Sequence, residues 1–298
     1  MHDKTTEEIK VDFRTYLEST KSESTLPSYI SRLSLWMKYT EDKGIDLYSP
    51  TVMDVIRFIS EYRTAKGEPW AATSREQTKI ILLSFYNFMA DVVNLIEVNP
   101  LAKGLEIKQI DTETPKYDVG EVEKIVAFLK DKDEFDAKIK NYTYKKDYLA
   151  ATLIFRDTGL RISHTLSITV DQIKPTLKVI EFPPTKYKSK GTPSEAYISN
   201  ETATVLRELM RGKKPGDRLL NISPTSLRSI YIQMSAVLHI HVHCHRFRSS
   251  WASKFGSEIN NYPALKEQGG WKGDSAMRYI QGAGKVLEST IRDKMFND

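Results

Sequence analysis

Six side chains, widely separated in the sequence, together have the chemistry needed to attack a phosphodiester without a metal ion. A phenol can be the nucleophile, two guanidiniums can bind the phosphate, and a lysine and a histidine can transfer protons. An indole N–H can donate a further hydrogen bond to a phosphate oxygen. These residues are Arg161 in TGLRIS, Lys186 in PPTKYK, His245 and Arg248 in HRFR, Trp271 in GGWKG, and Tyr279 in MRYI.

This chemistry requires the six residues to meet in space. A tyrosine phenol has a pKa near 10 and is a poor nucleophile at neutral pH, so Tyr279 needs cationic neighbours or a base. Arg161, Arg248 and His245 would provide both. His245 and Arg248 are three residues apart, so on a helix their side chains would face the same side. An arginine suits a phosphate because its planar fork donates two parallel hydrogen bonds and stays charged.

Around these residues the chain resembles the tyrosine recombinases of the phage integrase family, which include the Cre-like and Xer-like site-specific recombinases. TGLRIS resembles the family's motif around its first arginine. HRFRSSWAS resembles the box H-x-x-R-H-[ST]-x-A-[ST], with Ser249 in place of the second histidine. GGWKGDSAMRYI resembles the segment that ends in the nucleophile, with Trp271 and Tyr279 eight residues apart, one fewer than is common in the family. The resemblance covers residues from about 150 to 280.

The resemblance implies a catalytic lysine on a β-hairpin after the first arginine. The segment TKYKSKG places three lysines there. The distance in sequence to the following strand EAYIS favours Lys186, with Lys188 and Lys190 as alternatives. Such a lysine could protonate the leaving 5′-oxygen of the DNA. A solvated basic turn that contacts phosphates without specificity is the competing interpretation.

One position departs from the family pattern. The family usually has Glu or Asp three residues after the first arginine, and this chain has His164. A neutral imidazole can accept a hydrogen bond but cannot counter a positive charge. We therefore expect an activity that is tuned, pH-sensitive or reduced.

A run of histidines suggests a different kind of site. His239, His241, His243 and His245 recur at every second residue in HIHVHCH, so in a β-strand they would share one face, as metal ligands could. No carboxylate lies nearby in the sequence, whereas a catalytic divalent site usually includes one. We therefore predict no metal and no cofactor, with His245 catalytic and the other histidines incidental or in contact with DNA. A metal-dependent hydrolase is the alternative.

Charge is unevenly distributed along the 298 residues, whose net charge is +5. Residues 1–117 contain 15 Lys and Arg against 18 Asp and Glu, and residues 118–298 contain 29 against 21. The positive half contains all six candidate residues, which favours a polyanion as the partner. The resemblance implies that this partner is double-stranded DNA and not a small molecule. The chain has a single cysteine, Cys244, which excludes an intrachain disulfide. It has no run of 18 or more apolar residues, so no transmembrane helix is expected. We expect a cytoplasmic or nucleoid-associated protein.

Hydrophobic periodicity predicts a mainly α chain with a small β-sheet. Residues 1–107 are predicted to form a helical domain, in which SPTVMDVIRFISEYRTAKG is one helix. The resemblance implies that this is the family's SAM-like core DNA-binding domain. The polar stretch around Pro115 predicts a linker at 108–118. Residues 119–298 are predicted to form an α+β catalytic domain with strands at ITVDQIK, KVIEFPP and EAYIS. Leu287, Ile291 and Met295 share one face of a predicted C-terminal amphipathic helix. This segment resembles the family's tail helix, which implies that it packs on a neighbouring protomer.

The resemblance also implies an activity. Tyr279 would attack the scissile phosphate, form a 3′-phosphotyrosyl link and release a 5′-hydroxyl, without ATP or metal. Recombination in this family takes four protomers on two DNA sites, so a homotetramer on DNA is expected. The first alternative is a DNA-binding accessory protein with the same fold and impaired catalysis. A type IB topoisomerase shares the chemistry, but the chain is short for one.

Overall fold

The computed structural model describes residues 4–106, 115–143, 145–182 and 194–259, together with residues 263, 265 and 269. These residues are mainly helical, with one three-stranded sheet, which confirms the predicted fold class. The chain divides into two compact units, Met1–Thr112 and Glu113–Asp298, and each has its own hydrophobic core. In the part of the chain that the structure describes, no helix is both long and apolar enough to cross a membrane.

The first unit is built from four helices. They are α1 (Thr6–Thr20), α2 (Leu26–Lys43), α3 (Val52–Glu61) and α4 (Ala72–Asn87), and α4 continues as a π-helical turn, Phe88–Val92. Thr5 and Thr51 begin α1 and α3 with capping boxes. In the core, the indole Nε1 of Trp36 donates to the hydroxyl of Tyr86 (2.9 Å), which donates to the carbonyl of Leu47 (3.0 Å).

The helix predicted over SPTVMDVIRFISEYRTAKG was too long. It begins after Thr51, not at Ser-Pro, and ends at Glu61 rather than near Gly67. Residues 63–69 instead form a turn, in which Arg63 and Pro69 are bridged and the amide of Thr64 donates to the carbonyl of Glu68 (2.8 Å). This turn brings Tyr62 and Trp70 into a stacked pair with ring centroids 4.1 Å apart.

The second unit packs its helices around a buried central helix. Its helices are α5 (Glu121–Lys130), α6 (Lys132–Lys138), α7 (Lys145–Thr158), α8 (Ile162–Ser167), α9 (Asn200–Met210), α10 (Pro224–Leu238) and α11 (Cys244–Ile259). Helix α7 packs against α5, α9 and α11, and buries Leu153, Ile154 and Phe155 completely. Burial on all sides fixes the end of α7, from which the TGLRIS segment begins.

The sheet is small and antiparallel. Strands β1 (Ile173–Lys174), β2 (Val179–Phe182) and β3 (Ser194–Tyr197) pair in the order β1-β2-β3, with Phe182 opposite Ser194. The strand predicted over ITVDQIK was mostly wrong. Thr169 caps a 3₁₀ turn at Val170–Gln172, and only two residues of the segment pair as β1.

Candidate active site

Arg161 lies at the junction between α7 and α8. Helix α7 ends at Thr158, and Gly159 follows in the left-handed conformation (φ +59°), which an L-residue with a side chain rarely adopts. Leu160 is buried, and Arg161 is the exposed N-cap residue of α8. The TGLR segment thus reverses from a buried helix to the surface within three residues, and this reversal places the guanidinium of Arg161 on the surface.

His245 and Arg248 both lie in the first turns of α11, as their spacing predicted. His245 is exposed, whereas Arg248 is only 3% exposed. The Nη1 of Arg248 donates to the carbonyl oxygen of Gly159 (2.7 Å) and its Nη2 donates to the carbonyl oxygen of Gly269 (2.5 Å). Arg248 therefore ties α11 to the same junction that carries Arg161.

A close contact adds to this tie. A Cβ atom built on Gly159 would lie 2.5 Å from the indole Cε3 of Trp251, one turn after Arg248. Glycine is needed here both for its positive φ and for this approach. The indole of Trp251 packs in turn near Phe255, with ring centroids 5.1 Å apart.

Four charged or titratable groups influence one another at this junction. Partial desolvation, followed by the positive charges of Arg248, His243 and Arg161, lowers the pKa of His245 below its ordinary value. Partial desolvation, followed by the charges of Arg161 and Arg248, lowers the pKa of His164 in the same way. The structure thus brings Arg161, His164, His245 and Arg248 within electrostatic range of one another. Both imidazoles are neutral at pH 7, so His245 can accept a proton there.

The other predicted site residues cannot be placed in this cluster. Lys186, Trp271 and Tyr279 lie outside the described residues, as do Lys188 and Lys190 and the predicted tail helix. Lys186 falls in sequence between β2 and β3, which pair as neighbours. The roles of all six residues remain predictions.

The histidine run does not form the strand that a shared metal face would require. His239 ends α10 in the left-handed conformation (φ +54°), and His245 already belongs to α11. The rings of His241 and His243 lie 5.9 Å apart, and the Nδ1 of His243 accepts a hydrogen bond from the amide of His245 (3.2 Å). Within the described ranges, no three His, Cys, Asp or Glu side chains are grouped as metal ligands.

Sequence reasoning overlooked a polar network at the end of α7. The carboxylate of Asp157 accepts hydrogen bonds from the Nε of Arg156 (2.7 Å), the amide of Ser199 (2.8 Å) and the hydroxyl of Thr202 (2.5 Å). Arg156 also donates to Glu201 (2.6 Å). The network fixes the chain that leaves β3 to the turn before Arg161. An Arg-Asp pair inside a strongly apolar helix was the signal that could have revealed it.

Sequence reasoning also overlooked a second network, at the start of α11. Tyr117, in the predicted linker, is 8% exposed and packs on Phe247 with ring centroids 4.7 Å apart. The guanidinium carbon of Arg246 lies 4.5 Å from the centre of the Tyr117 ring, a cation–π contact. The signal here was weaker, namely a second arginine inside HRFR.

The comparisons with known proteins agree with this architecture. Residues 11–91 match the phage integrase N-terminal SAM-like domain. No curated protein sequence matches the chain. Among solved structures, the Tn1549 transposon integrase in complex with a circular intermediate DNA has a TM-score of 0.68 at 14% identity, covering 95% of this chain and 98% of that one.

Two further solved structures are similar. XerH site-specific recombinase, bound to a palindromic difH substrate in a post-cleavage complex, has a TM-score of 0.67 at 14% identity, covering 98% of this chain and 90% of that one. A lambda integrase dimer bound to a COC' core site has a TM-score of 0.64 at 16% identity, covering 95% and 79%. At these identities the likeness establishes the fold, and it confirms the resemblance inferred from the sequence. Residues 11–91 therefore match the SAM-like N-terminal domain of the phage integrases, and the chain has the fold seen in the Tn1549 integrase and XerH structures.

Proposed function

We propose that the protein is a site-specific DNA recombinase that cuts and rejoins DNA through a covalent 3′-phosphotyrosyl link. The observation that carries the proposal is the cluster of Arg161, His245 and Arg248 at the α7–α8 junction, on a tyrosine-recombinase fold. Two guanidiniums and a neutral imidazole at one place are suited to a phosphate that gains negative charge in the transition state.

In the proposed reaction the hydroxyl oxygen of Tyr279 attacks the scissile phosphorus. The bond from phosphorus to the 5′-oxygen breaks, and Lys186 gives its proton to that oxygen, which leaves as a 5′-hydroxyl. His245, neutral at pH 7, is available to take the phenolic proton. The 5′-hydroxyl of a partner strand then attacks the phosphotyrosine and releases Tyr279, so the bond energy is conserved and no ATP is needed.

Arg161, Arg248 and the indole of Trp271 would bind the non-bridging oxygens and stabilise the pentavalent transition state. Because positive charge for this step comes from guanidiniums, the reaction as proposed needs no metal ion. Each of these roles is a prediction that mutation of one residue can test.

Double-stranded DNA is the proposed partner. Residues 118–298 contain 29 Lys and Arg against 21 Asp and Glu. The similar Tn1549 integrase is in complex with a circular intermediate DNA, XerH is bound to a palindromic difH substrate, and lambda integrase is bound to a COC' core site. We extend the proposal to four protomers on two DNA sites. The first unit would serve as the core DNA-binding domain and the second as the catalytic domain, with its tail helix on a neighbouring protomer.

One observation favours a second candidate, a DNA-binding accessory protein with impaired catalysis. His164 stands near Arg161 and Arg248, and an imidazole, unlike a carboxylate, has no negatively charged form at physiological pH that could counter the two guanidiniums. A site without that counter-charge could bind DNA and cleave it poorly.

Covalent trapping distinguishes these candidates. Labelled DNA from the flanks of the gene is incubated in EDTA with the wild type, Tyr279→Phe and Tyr142→Phe, and the products are run on a denaturing gel. Tyr142 donates to Asp136 in α6 (2.5 Å), so its variant is a matched loss of one phenolic hydroxyl. A shifted band with the wild type and Tyr142→Phe, and none with Tyr279→Phe, is expected. DNA binding without any covalent band would favour the accessory protein, and cleavage only with added divalent metal would favour a metal-dependent nuclease.

A further inference from the structure

Tyr117 is fixed to the backbone just before the catalytic helix α11. Its hydroxyl accepts a hydrogen bond from the amide of His243 (2.9 Å) and donates one to the carbonyl of the same residue (3.3 Å). Its own amide donates to the hydroxyl of Ser250 (2.7 Å). Burial raises the pKa of Tyr117 well above that of an ordinary phenol, so the hydroxyl keeps its proton and can make both bonds.

Arg246 binds the backbone two residues before His243 and the backbone next to Tyr117. Its Nη1 donates to the carbonyl of His241 (2.9 Å), and its Nη2 donates to the carbonyl of Lys116 (2.6 Å). The Nη2 also lies 3.4 Å from a carboxylate oxygen of Glu121. Arg246 thus joins residues 241 and 116, which are far apart in the chain, while its guanidinium rests on the Tyr117 ring.

Tyr117 binds the backbone of His243 and Arg246 binds that of His241, two residues earlier, and His243 in turn binds the amide of His245. The Nδ1 of His243 accepts the amide hydrogen of His245 (3.2 Å), which is one of the first amides of α11 and has no partner within the helix. This bond requires that the Nδ1 of His243 carries no hydrogen, and it links the His243 ring to the N-terminus of α11. Any shift of the backbone at His243 moves the imidazole of His245 relative to the guanidinium of Arg248.

We propose that Tyr117 and Arg246 are positioning residues that align His245 with Arg161 and Arg248 by holding the 241–243 backbone. They act through the backbone of residues 241–243 and do not touch the DNA phosphate themselves. The role in catalysis rests on the proposed function. Because Tyr117 lies where the chain enters the second unit, a displacement of this entry segment is transmitted to His245.

The test removes one contact at a time. Tyr117→Phe keeps the ring under Arg246 and against Phe247 but removes both hydrogen bonds to His243. Arg246→Met removes the bonds to the carbonyls of residues 241 and 116, and Arg246→Lys retains one charged donor. Tyr142→Phe is the control for loss of a phenolic hydroxyl elsewhere in the same unit.

The main readout is the titration of the His245 imidazole, followed by NMR on the full chain without DNA. The chain has six histidines, and the His245 signal is identified by its absence in His245→Gln. We expect the pKa of His245 to rise toward 6.5 in Tyr117→Phe and Arg246→Met, because a displaced side chain is better solvated. Arg246→Lys should lie between Arg246→Met and the wild type, and Tyr142→Phe should coincide with the wild type.

The second readout is single-turnover cleavage beside DNA affinity. We expect Tyr117→Phe to cleave roughly 10-fold to 100-fold more slowly at an unchanged dissociation constant, as a misplaced catalytic group does. A His245 titration that is the same in Tyr117→Phe, Arg246→Met and wild type overturns the proposal, whatever the cleavage rates. If Tyr117→Phe does not fold, Arg246→Met and Arg246→Lys decide by the same criterion. If the variants shift the His245 titration but the wild type never forms a covalent link to DNA, the positioning role is supported and the recombinase is rejected.

Discussion

The buried guanidinium of Arg248 donates a 2.7 Å hydrogen bond to the carbonyl oxygen of Gly159, two residues before Arg161. The second candidate arginine thereby fixes the backbone that presents the first. A single side chain is then both part of the proposed phosphate site and part of the fold that forms it. Its removal should have two separable effects, one on stability and one on cleavage.

Arg248→Ala is expected to lower the free energy of unfolding by about 2–3 kcal/mol, because it leaves two buried carbonyl groups without their charged donor. Below its unfolding temperature the variant should retain appreciable DNA affinity, since it removes only one of the 29 Lys and Arg residues in the second half of the chain, but lose covalent cleavage. Denaturation, DNA binding and the trapping gel measure the three quantities.

The matched control is Arg207→Ala, which removes an exposed arginine from α9 of the same unit. It should change neither stability nor cleavage appreciably. Wild-type cleavage by Arg248→Ala would show that this guanidinium does not act on the phosphate.

Gly159→Ala tests the close approach of the α7–α8 junction to α11. The new methyl group would lie 2.5 Å from the Trp251 ring, and the backbone would stay at φ +59°. Together, the strain of the left-handed backbone and the overpacking should lower the free energy of unfolding by about 2–4 kcal/mol. Gly212→Ala has a similar positive φ (+78°) and nothing within 4 Å of its Cβ, so it measures strain alone. Equal losses for the two variants, measured by denaturant unfolding, would mean that Trp251 moves aside at no cost.

The parts of the site that could be predicted from the sequence are local. Gly159 ends a buried helix, and a spacing of three places His245 and Arg248 on one helix, so short-range rules suffice for TGLR and HRFR. The short β1 was mispredicted because ITVDQIK has strand composition, while the capping box of Thr169 with Gln172 favours a turn.

Long-range contacts could not be predicted from one sequence. The hydroxyl of Tyr117 bonds the backbone of His243, 126 residues away. Nothing in the polar stretch around Pro115 indicates such a partner, and the sequence therefore predicts that Tyr117 is part of a linker. Likewise, alternation of histidines predicts a strand only if the backbone is extended, and the left-handed φ of His239 breaks that extension.

His164→Glu tests the departure from the family pattern. Wild-type His164 is neutral at pH 7 because partial burial and the charges of Arg161 and Arg248 lower its pKa. A carboxylate would instead interact favourably with both guanidiniums, by about 1 kcal/mol at a partly exposed site. If this interaction stabilises the productive geometry, it corresponds to an increase in cleavage rate of about fivefold. We expect faster cleavage than in the wild type, with a larger gain near pH 6 than near pH 8, where protonation of the wild-type imidazole is negligible. His164→Gln, which stays neutral, should resemble the wild type at pH 8. Similar rates for the wild type and His164→Glu from pH 6 to 8 would remove the hypothesis.

Stability should fall on acidification because of the same imidazoles. The pKa values of His164, His243 and His245 are lowered in the folded state, mainly by desolvation and then by cationic neighbours. Below about pH 6.5 the unfolded chain therefore binds more protons than the folded chain, and the free energy of unfolding decreases as the pH falls toward the lowered values. His245→Gln should show a smaller decrease between pH 7.5 and 5.5 than the wild type, measured by denaturant unfolding. Between pH 7.5 and 8.5 the imidazoles are neutral in the folded and unfolded states, so the free energies of unfolding of the two proteins should change with pH in parallel. A steeper decrease in the variant would contradict a lowered pKa of His245 in the folded state.

Salt should weaken DNA binding steeply. The second half of the chain contains 29 Lys and Arg, and each one that neutralises a phosphate releases a condensed counterion. Six to ten such contacts would reduce affinity by roughly 10³-fold to 10⁵-fold between 50 and 200 mM salt. Binding titrations at four salt concentrations give the slope, and Arg161→Ala should reduce it by about one ion. A flat response over this range would argue against nucleic acid as the partner, and with it against every role assigned to the guanidiniums of Arg161 and Arg248.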